Sequence, residues 1–145
     1  MAQRIQINID SDMEEVALAS VSVQALCEHF SLLDTDAYQI NLCLVEILNN
    51  LVEHGFRYQK GNTIRIFIIY DVGRVTLVIE DEADPMELPS RGKDLSREQD
   101  PSNLSERGYG LFLVREIMDE VNYEVCSGFN RLTMKKLLDK AHIPS

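Results

Sequence analysis

No apolar run in this 145-residue chain reaches the ~18–20 residues that cross a bilayer, so a transmembrane helix is excluded. The N-terminal Met1-Ala2-Gln3-Arg4 runs straight into an alternating pattern and lacks the apolar stretch of a secretory leader. Basic residues are scarce: 14 Lys and Arg stand against 24 Asp and Glu, a formal net charge of −10 with neutral histidines. So acidic a chain lacks the basic surface that displaces counterions from nucleic acid, and it is not drawn to anionic membranes. Direct nucleic-acid and membrane partners are therefore not expected. Only three cysteines occur, Cys27, Cys43 and Cys126, odd in number and far apart. They form neither a disulfide frame nor a zinc-site spacing, which together with the missing leader points to a cytoplasmic protein with reduced thiols. Internal repeats, low-complexity tracts and inter-domain linkers are absent too, so residues 1–145 read as one domain. With 45% apolar and 26% charged residues, the composition is that of an ordinary globular protein rather than a disordered or fibrous one.

Arg4-Ile5-Gln6-Ile7-Asn8-Ile9 alternates with period two and predicts a half-buried strand. Ser11 followed by Glu14 offers a capping box for a helix carrying Val16, Leu18, Ala19, Val23, Leu26 and Phe30. Asp34 or Thr35 caps a second helix to about His54, with Ile40, Leu44, Ile47, Leu48 and Leu51 as its buried stripe and Gly55 as its stop. Thr63–Tyr70 and Val75–Glu80, separated by Asp71-Val72-Gly73-Arg74, predict a hairpin. From Glu82 to Arg107 the chain is polar and aperiodic. About 26 such residues are unusually long for a plain connector and suggest a lid. Tyr109–Glu120 then reads as a helix, followed by strands near Val121–Cys126 and Arg131–Leu138. The expected fold class is an α/β (α+β) two-layer sandwich, with helices on one face of a mixed, mostly antiparallel sheet.

Three places can carry chemistry. Glu46, Asn50 and His54 lie four apart on the second helix, which places a carboxylate, a carboxamide and an imidazole on one strip. A carboxylate can take a proton and a carboxamide oxygen is a hard ligand suited to Mg²⁺, although an ordinary solvated helix face reads the same way. Asp81 ends an apolar strand where the sheet can fix it, so it can accept from an exocyclic amine or simply serve a turn. Gly108-Tyr109-Gly110-Leu111 opens the last helix, where backbone N–H groups can approach a phosphate or the glycines can merely ease a loop exit. Neither the dinucleotide fingerprint nor the P-loop is present, and no Ser-His-Asp set emerges from spacing. Arg107, beside those glycines, can meet a terminal phosphate or stay solvated.

In this order the pieces resemble the GHKL (histidine-kinase-like) ATPase superfamily, and more narrowly the anti-sigma factor serine/threonine-protein kinases. Glu46-Ile47-Leu48-Asn49-Asn50-Leu51-Val52-Glu53-His54 is similar to the N box. Val78-Ile79-Glu80-Asp81-Glu82-Ala83-Asp84-Pro85-Met86 stands in the place of the G1 box, and Gly108–Val121 in that of the G2 box. Gly128–Met134 resembles the family's closing hairpin. The resemblance implies a Bergerat-type ATP-binding fold with an ATP lid over about residues 82–107. It implies Glu46 as general base toward a protein hydroxyl, Asn50 as the Mg²⁺ ligand and Asp81 as acceptor of the adenine amine. His54, Ala83, Arg107, Gly108, Gly110 and Leu111 would complete the nucleotide site. Implied partners are a sigma factor and a small antagonist protein that receives the phosphate, with a homodimer as the family's usual state. A histidine kinase needs phosphoacceptor helices and topoisomerase relatives a transducer domain; neither is expected within these 145 residues. One position departs from the pattern: the G1 box has glycine where this chain has Ala83. The methyl costs strain if that position needs a positive φ, and costs room beside the base otherwise. The alternative expectations are a non-catalytic partner-binding module of the same fold and a simple ATPase.

Overall fold

Isoleucines alternating with polar residues leave one side of the first strand apolar, and the chain builds its sheet outward from there. In the computed structural model, which describes residues 2–86 and 106–138 (side chains within 106–138 from Gly110 onward), β1 is Gln3–Asp10. It is followed by α1 (Met13–His29), α2 (Asp34–Asn50), a π-helical turn (Leu51–Gly55), β2 (Thr63–Asp71) and β3 (Arg74–Asp81). After the undescribed segment come α3 (Glu106–Ile117), β4 (Glu120–Val125) and β5 (Asn130–Leu137). The sheet has the order β1-β2-β3-β5-β4, and every described pairing is antiparallel rather than mixed.

Period two sorts the strands into an inner and an outer face. Ile64, Ile66 and Ile68 of β2, Val75, Leu77 and Ile79 of β3, and Leu132 and Met134 of β5 are buried inward. They meet Val16, Ala19, Val23 and Cys27 of α1, Ile40, Leu44, Ile47 and Leu48 of α2, and Leu111 and Val114 of α3 in one core. The two-layer sandwich with helices on one face is therefore the observed fold. Among the described residues no helix is long and apolar enough to cross a membrane.

Several local expectations are corrected. Asp12, not Ser11, caps α1: its side chain accepts from the Glu14 N–H. Ser11 is buried instead, donating its hydroxyl to the Gln59 carbonyl at 2.6 Å and accepting from the Asn62 N–H. Leu18 is 64% exposed, because at 100° per residue it lies across the helix from Val16 and Val23. Leu33 occupies the N-cap of α2 without a side-chain bond; Asp34 and Asp36 lie in the first turn, where negative charge suits the helix N-terminus. The α-helix ends at Asn50, and the five residues Leu51–Gly55 form a wider π turn. Two left-handed residues, Arg57 (φ 53°) and Tyr58 (φ 63°), then carry the chain out. The β2–β3 hairpin turns on Val72-Gly73, with Gly73 at φ 81° and Asp71 accepting from the Val72 N–H.

Candidate functional site

Asn50 lies on the core-facing side of α2 and is only 5% exposed. Its Nδ2 donates to the Glu46 carbonyl one turn earlier at 2.8 Å. That commits the amide nitrogen to the helix and leaves the carboxamide oxygen, a hard neutral donor, as the atom available to a ligand. Glu46 stands on the same strip, and α3 crosses directly over both residues at Gly110. A Cβ at position 110 would overlap the Glu46 carboxylate and stand 3.8 Å from Asn50 Nδ2. The absence of a side chain at Gly110 thus leaves the Glu46 carboxylate the space it occupies beside α3.

The second half of the site is the end of the sheet. Counting by twos from Ile79 and Leu132 puts Asp81 and Asn130 on the inner face, and the register pairs them directly. Asp81 is 2% exposed. Its Oδ1 accepts from Asn130 Nδ2 at 3.1 Å and from the Ala83 N–H at 2.9 Å, while Oδ2 has no partner among the described residues. Burial pushes the Asp81 carboxyl above the usual carboxylate range; the bonds from Asn130 and Ala83 and the charge of Arg65 oppose that only in part. The adjacent Glu80 points outward, between Arg65 (3.1 Å) and Arg131 (2.9 Å). There burial is outweighed by the two guanidinium groups, which hold Glu80 below its ordinary value. Two neighbouring carboxyls thus receive opposite shifts because a strand sends them to opposite faces.

The two halves are joined by the π turn. It brings Gly55 against Ala83, so that a Cβ on Gly55 would stand 2.9 Å from the Ala83 methyl. Ala83 does not have a positive φ. Its methyl therefore brings no backbone strain and occupies the room that Gly55 leaves. The segment after Asp81 is fastened at two further points: Asn130 Nδ2 donates to the Ala83 carbonyl at 2.8 Å, and the Met86 N–H donates to the Tyr123 hydroxyl at 2.9 Å.

Residues 9–136 match the histidine kinase-like ATPase domain family. The chain belongs to that family. It is 24% identical over 147 residues to the serine-protein kinase RsbW of Bacillus licheniformis, covering 98% of this chain and 90% of that protein. The RsbW of Bacillus subtilis (strain 168) is 24% identical over 142 residues, with 95% and 88% covered. Among solved structures, the RsbU and RsbW domains of Rv1364c from Mycobacterium tuberculosis superpose with a TM-score of 0.61 at 16% identity. That match covers 94% of this chain and 32% of the longer mycobacterial one. The histidine kinase domain of Erythrobacter litoralis EL346 gives 0.51 at 14% identity, over 87% of this chain and 60% of that one. At these identities the two structures speak for the histidine-kinase-like fold alone.

Within this histidine kinase-like domain, the structure gathers Glu46, Asn50 and Gly110 at one point, and Asp81, Ala83 and Gly55 at another. His54 does not continue the strip of Glu46 and Asn50. The π turn intervenes, its side chain is exposed, and its polar partner among the described residues is Glu53 at 3.8 Å. The Leu111 side chain is fully buried in the core, where it packs α3. The helix starts at Glu106, three residues before the expected Tyr109, so Gly108 and Gly110 lie within its first turns rather than ahead of it. The Arg107 side chain and lid residues 87–105 lie outside the described residues. Asn130 escaped sequence reasoning. Only the pairing of β3 with β5 places it at Asp81, and nothing local in Phe129-Asn130-Arg131 signals that pairing.

Proposed function

We propose that the chain is an ATP- and Mg²⁺-dependent protein serine/threonine kinase that acts as an anti-sigma regulator. Its substrate would be a small antagonist protein, its second partner a sigma factor, and its cellular setting the cytoplasm. The observation that carries this reading is the joint placement of Glu46 and Asn50 under Gly110. In it, a carboxylate and a buried carboxamide oxygen share one strip at the start of α3. The similarity to curated serine-protein kinases over nearly the whole chain supports the same reading.

The carboxamide oxygen of Asn50 is the group that would hold Mg²⁺, and the ion when bound would neutralise charge on the nucleotide's phosphates. Asp81, through Oδ2, accepts the exocyclic amine of adenine and anchors the base. Glu46 receives the proton of the incoming serine or threonine hydroxyl as its oxygen bonds to the γ-phosphorus and the bond to the β–γ bridging oxygen breaks, releasing ADP. In such transfers positioning and electrostatics supply most of the acceleration. A carboxylate set beside α3 at Gly110, one turn from Asn50, meets the first requirement. The Ala83 methyl is compatible with the base pocket because it lodges against Gly55.

The test is incubation of the purified chain with γ-labelled ATP and Mg²⁺ in a desalted lysate of the cells that carry it. Labelled phosphoserine or phosphothreonine on a small protein is expected, and it should disappear with Glu46→Gln while that variant still binds ATP. Free phosphate as the only product would establish a simple ATPase instead. Absence of both product and nucleotide binding would leave a partner-binding module of the same fold. Strong residual transfer by Glu46→Gln would remove Glu46 from the role of base.

A further inference from the structure

Nothing in the proposed reaction uses Asn130, yet it is 4% exposed and both protons of its side-chain amide are engaged at the nucleotide site. One goes to Asp81 Oδ1 at 3.1 Å and the other to the Ala83 carbonyl at 2.8 Å. The Ala83 N–H closes onto the same Oδ1 at 2.9 Å. Two donors therefore converge on one carboxylate oxygen. A carboxylate free to turn presents its oxygens in any direction; here two donors hold one oxygen and so fix the carboxylate plane, and Oδ2 is the oxygen left without a partner among the described residues.

We propose that Asn130 is a positioning residue that sets base selectivity: by pinning Asp81 Oδ1 it fixes Oδ2 as the acceptor facing the purine. This rests on the reading of Asp81 as the contact for adenine's amine. The geometry makes a sharper statement about Asp81→Asn. Because both groups at Oδ1 are donors, the new amide must place its oxygen there, which puts its NH₂ where Oδ2 stood. The acceptor becomes a donor, and the variant should favour a 6-oxo purine over a 6-amino one.

The experiment measures affinities of the full chain for Mg²⁺ complexes of ATP, purine riboside triphosphate (which lacks the 6-amine) and inosine triphosphate. The wild-type chain should prefer ATP to the riboside analogue by ~10–100-fold, the value of a hydrogen bond to a charged group. Asn130→Leu should bring that ratio within about 3-fold, by weakening ATP while leaving the analogue nearly unchanged. Asn130→Ala serves as a milder second variant, and thermal denaturation checks folding of both. Asp81→Asn should move the ATP-to-inosine ratio by at least ~10-fold toward inosine, and that shift should shrink when Asn130→Leu is added and the Ala83 N–H alone orients the amide. If the Asn130 variants weaken both nucleotides equally, the residue is only structural and the proposal is overturned. An unmoved ATP-to-inosine ratio in Asp81→Asn overturns it without any change at Asn130. A wild-type chain that binds nucleotide but ignores the amine overturns the adenine reading itself, a failure recognisable before any variant is made.

Discussion

Gly55 and Ala83 form a pair in which only one partner has room for a Cβ, and a double-mutant cycle exposes this. In Gly55→Ala the two methyl carbons would stand 2.9 Å apart, closer than side-chain carbons approach one another. Overpacking of this kind costs ~1–3 kcal/mol, partly offset by the ~1 kcal/mol that Ala gains over Gly in a helical turn. Ala83→Gly alone removes a half-buried methyl, ~0.8 kcal/mol of burial, and adds unfolded-state freedom worth ~0.4–1 kcal/mol. It should therefore destabilise by roughly 1–2 kcal/mol. In the double variant the methyl of residue 55 moves into the vacated space and the clash is gone. The coupling between the sites should thus reach about 1–2 kcal/mol, a shift of ~2–8 °C in the melting temperature of a domain this size. Urea denaturation of the four proteins measures it. Additivity within ~0.3 kcal/mol would refute the fitted contact, and with it the account of how the Ala83 methyl is accommodated.

Asp81→Asn should also change the pH dependence of stability. A raised carboxyl pKa means that the folded state holds the proton more tightly than the unfolded one. Its contribution is therefore present at low pH and lost as pH rises through the folded value. The stability of the variant minus that of the wild type should grow from about pH 4 upward and then level off, and a difference that falls with pH would contradict the burial argument. Glu80, shifted the opposite way, is common to both proteins and cancels. If the chain is the kinase proposed above, Gly110→Ala should cut phosphotransfer by ~100-fold with little loss of stability, because the new methyl displaces the flexible Glu46 carboxylate while alanine favours the helix by ~1 kcal/mol. Transfer at the wild-type rate in that variant would show that the helix crossing does not place the base.

What the sequence revealed follows the range of the interactions involved. The strands and the β2–β3 hairpin were legible because alternation and the Asp71-Val72-Gly73-Arg74 turn are local signals. Asp81 was singled out by an equally local signal, the point where an apolar strand gives way to a polar segment. The cap of α1 slipped by one residue because Ser11 is engaged by Gln59 and Asn62, some fifty positions away. The π turn left no trace, since the apolar stripe runs through Leu51 and Val52 as an α-helix would have it. Gly55 was read as a helix stop, and its service to Ala83 emerges only when the sheet end is packed against it. The early start of α3 runs against the low helix propensity of Gly108 and Gly110, and only the packed structure shows the Glu46 carboxylate lying where a Cβ at 110 would stand. Asn130 depends on a strand pairing between distant segments, the kind of information a single sequence carries least.

The central claim is that a nucleotide occupies the space between Glu46 with Asn50 and Asp81. The most direct measurement is calorimetric titration of the purified chain with Mg²⁺-ADP, beside Asp81→Asn. The account predicts saturable binding by the wild type and affinity at least ~10-fold weaker in the variant, whose fold is intact by thermal denaturation. Absence of binding at millimolar nucleotide, or equal affinity in the two proteins, would contradict it.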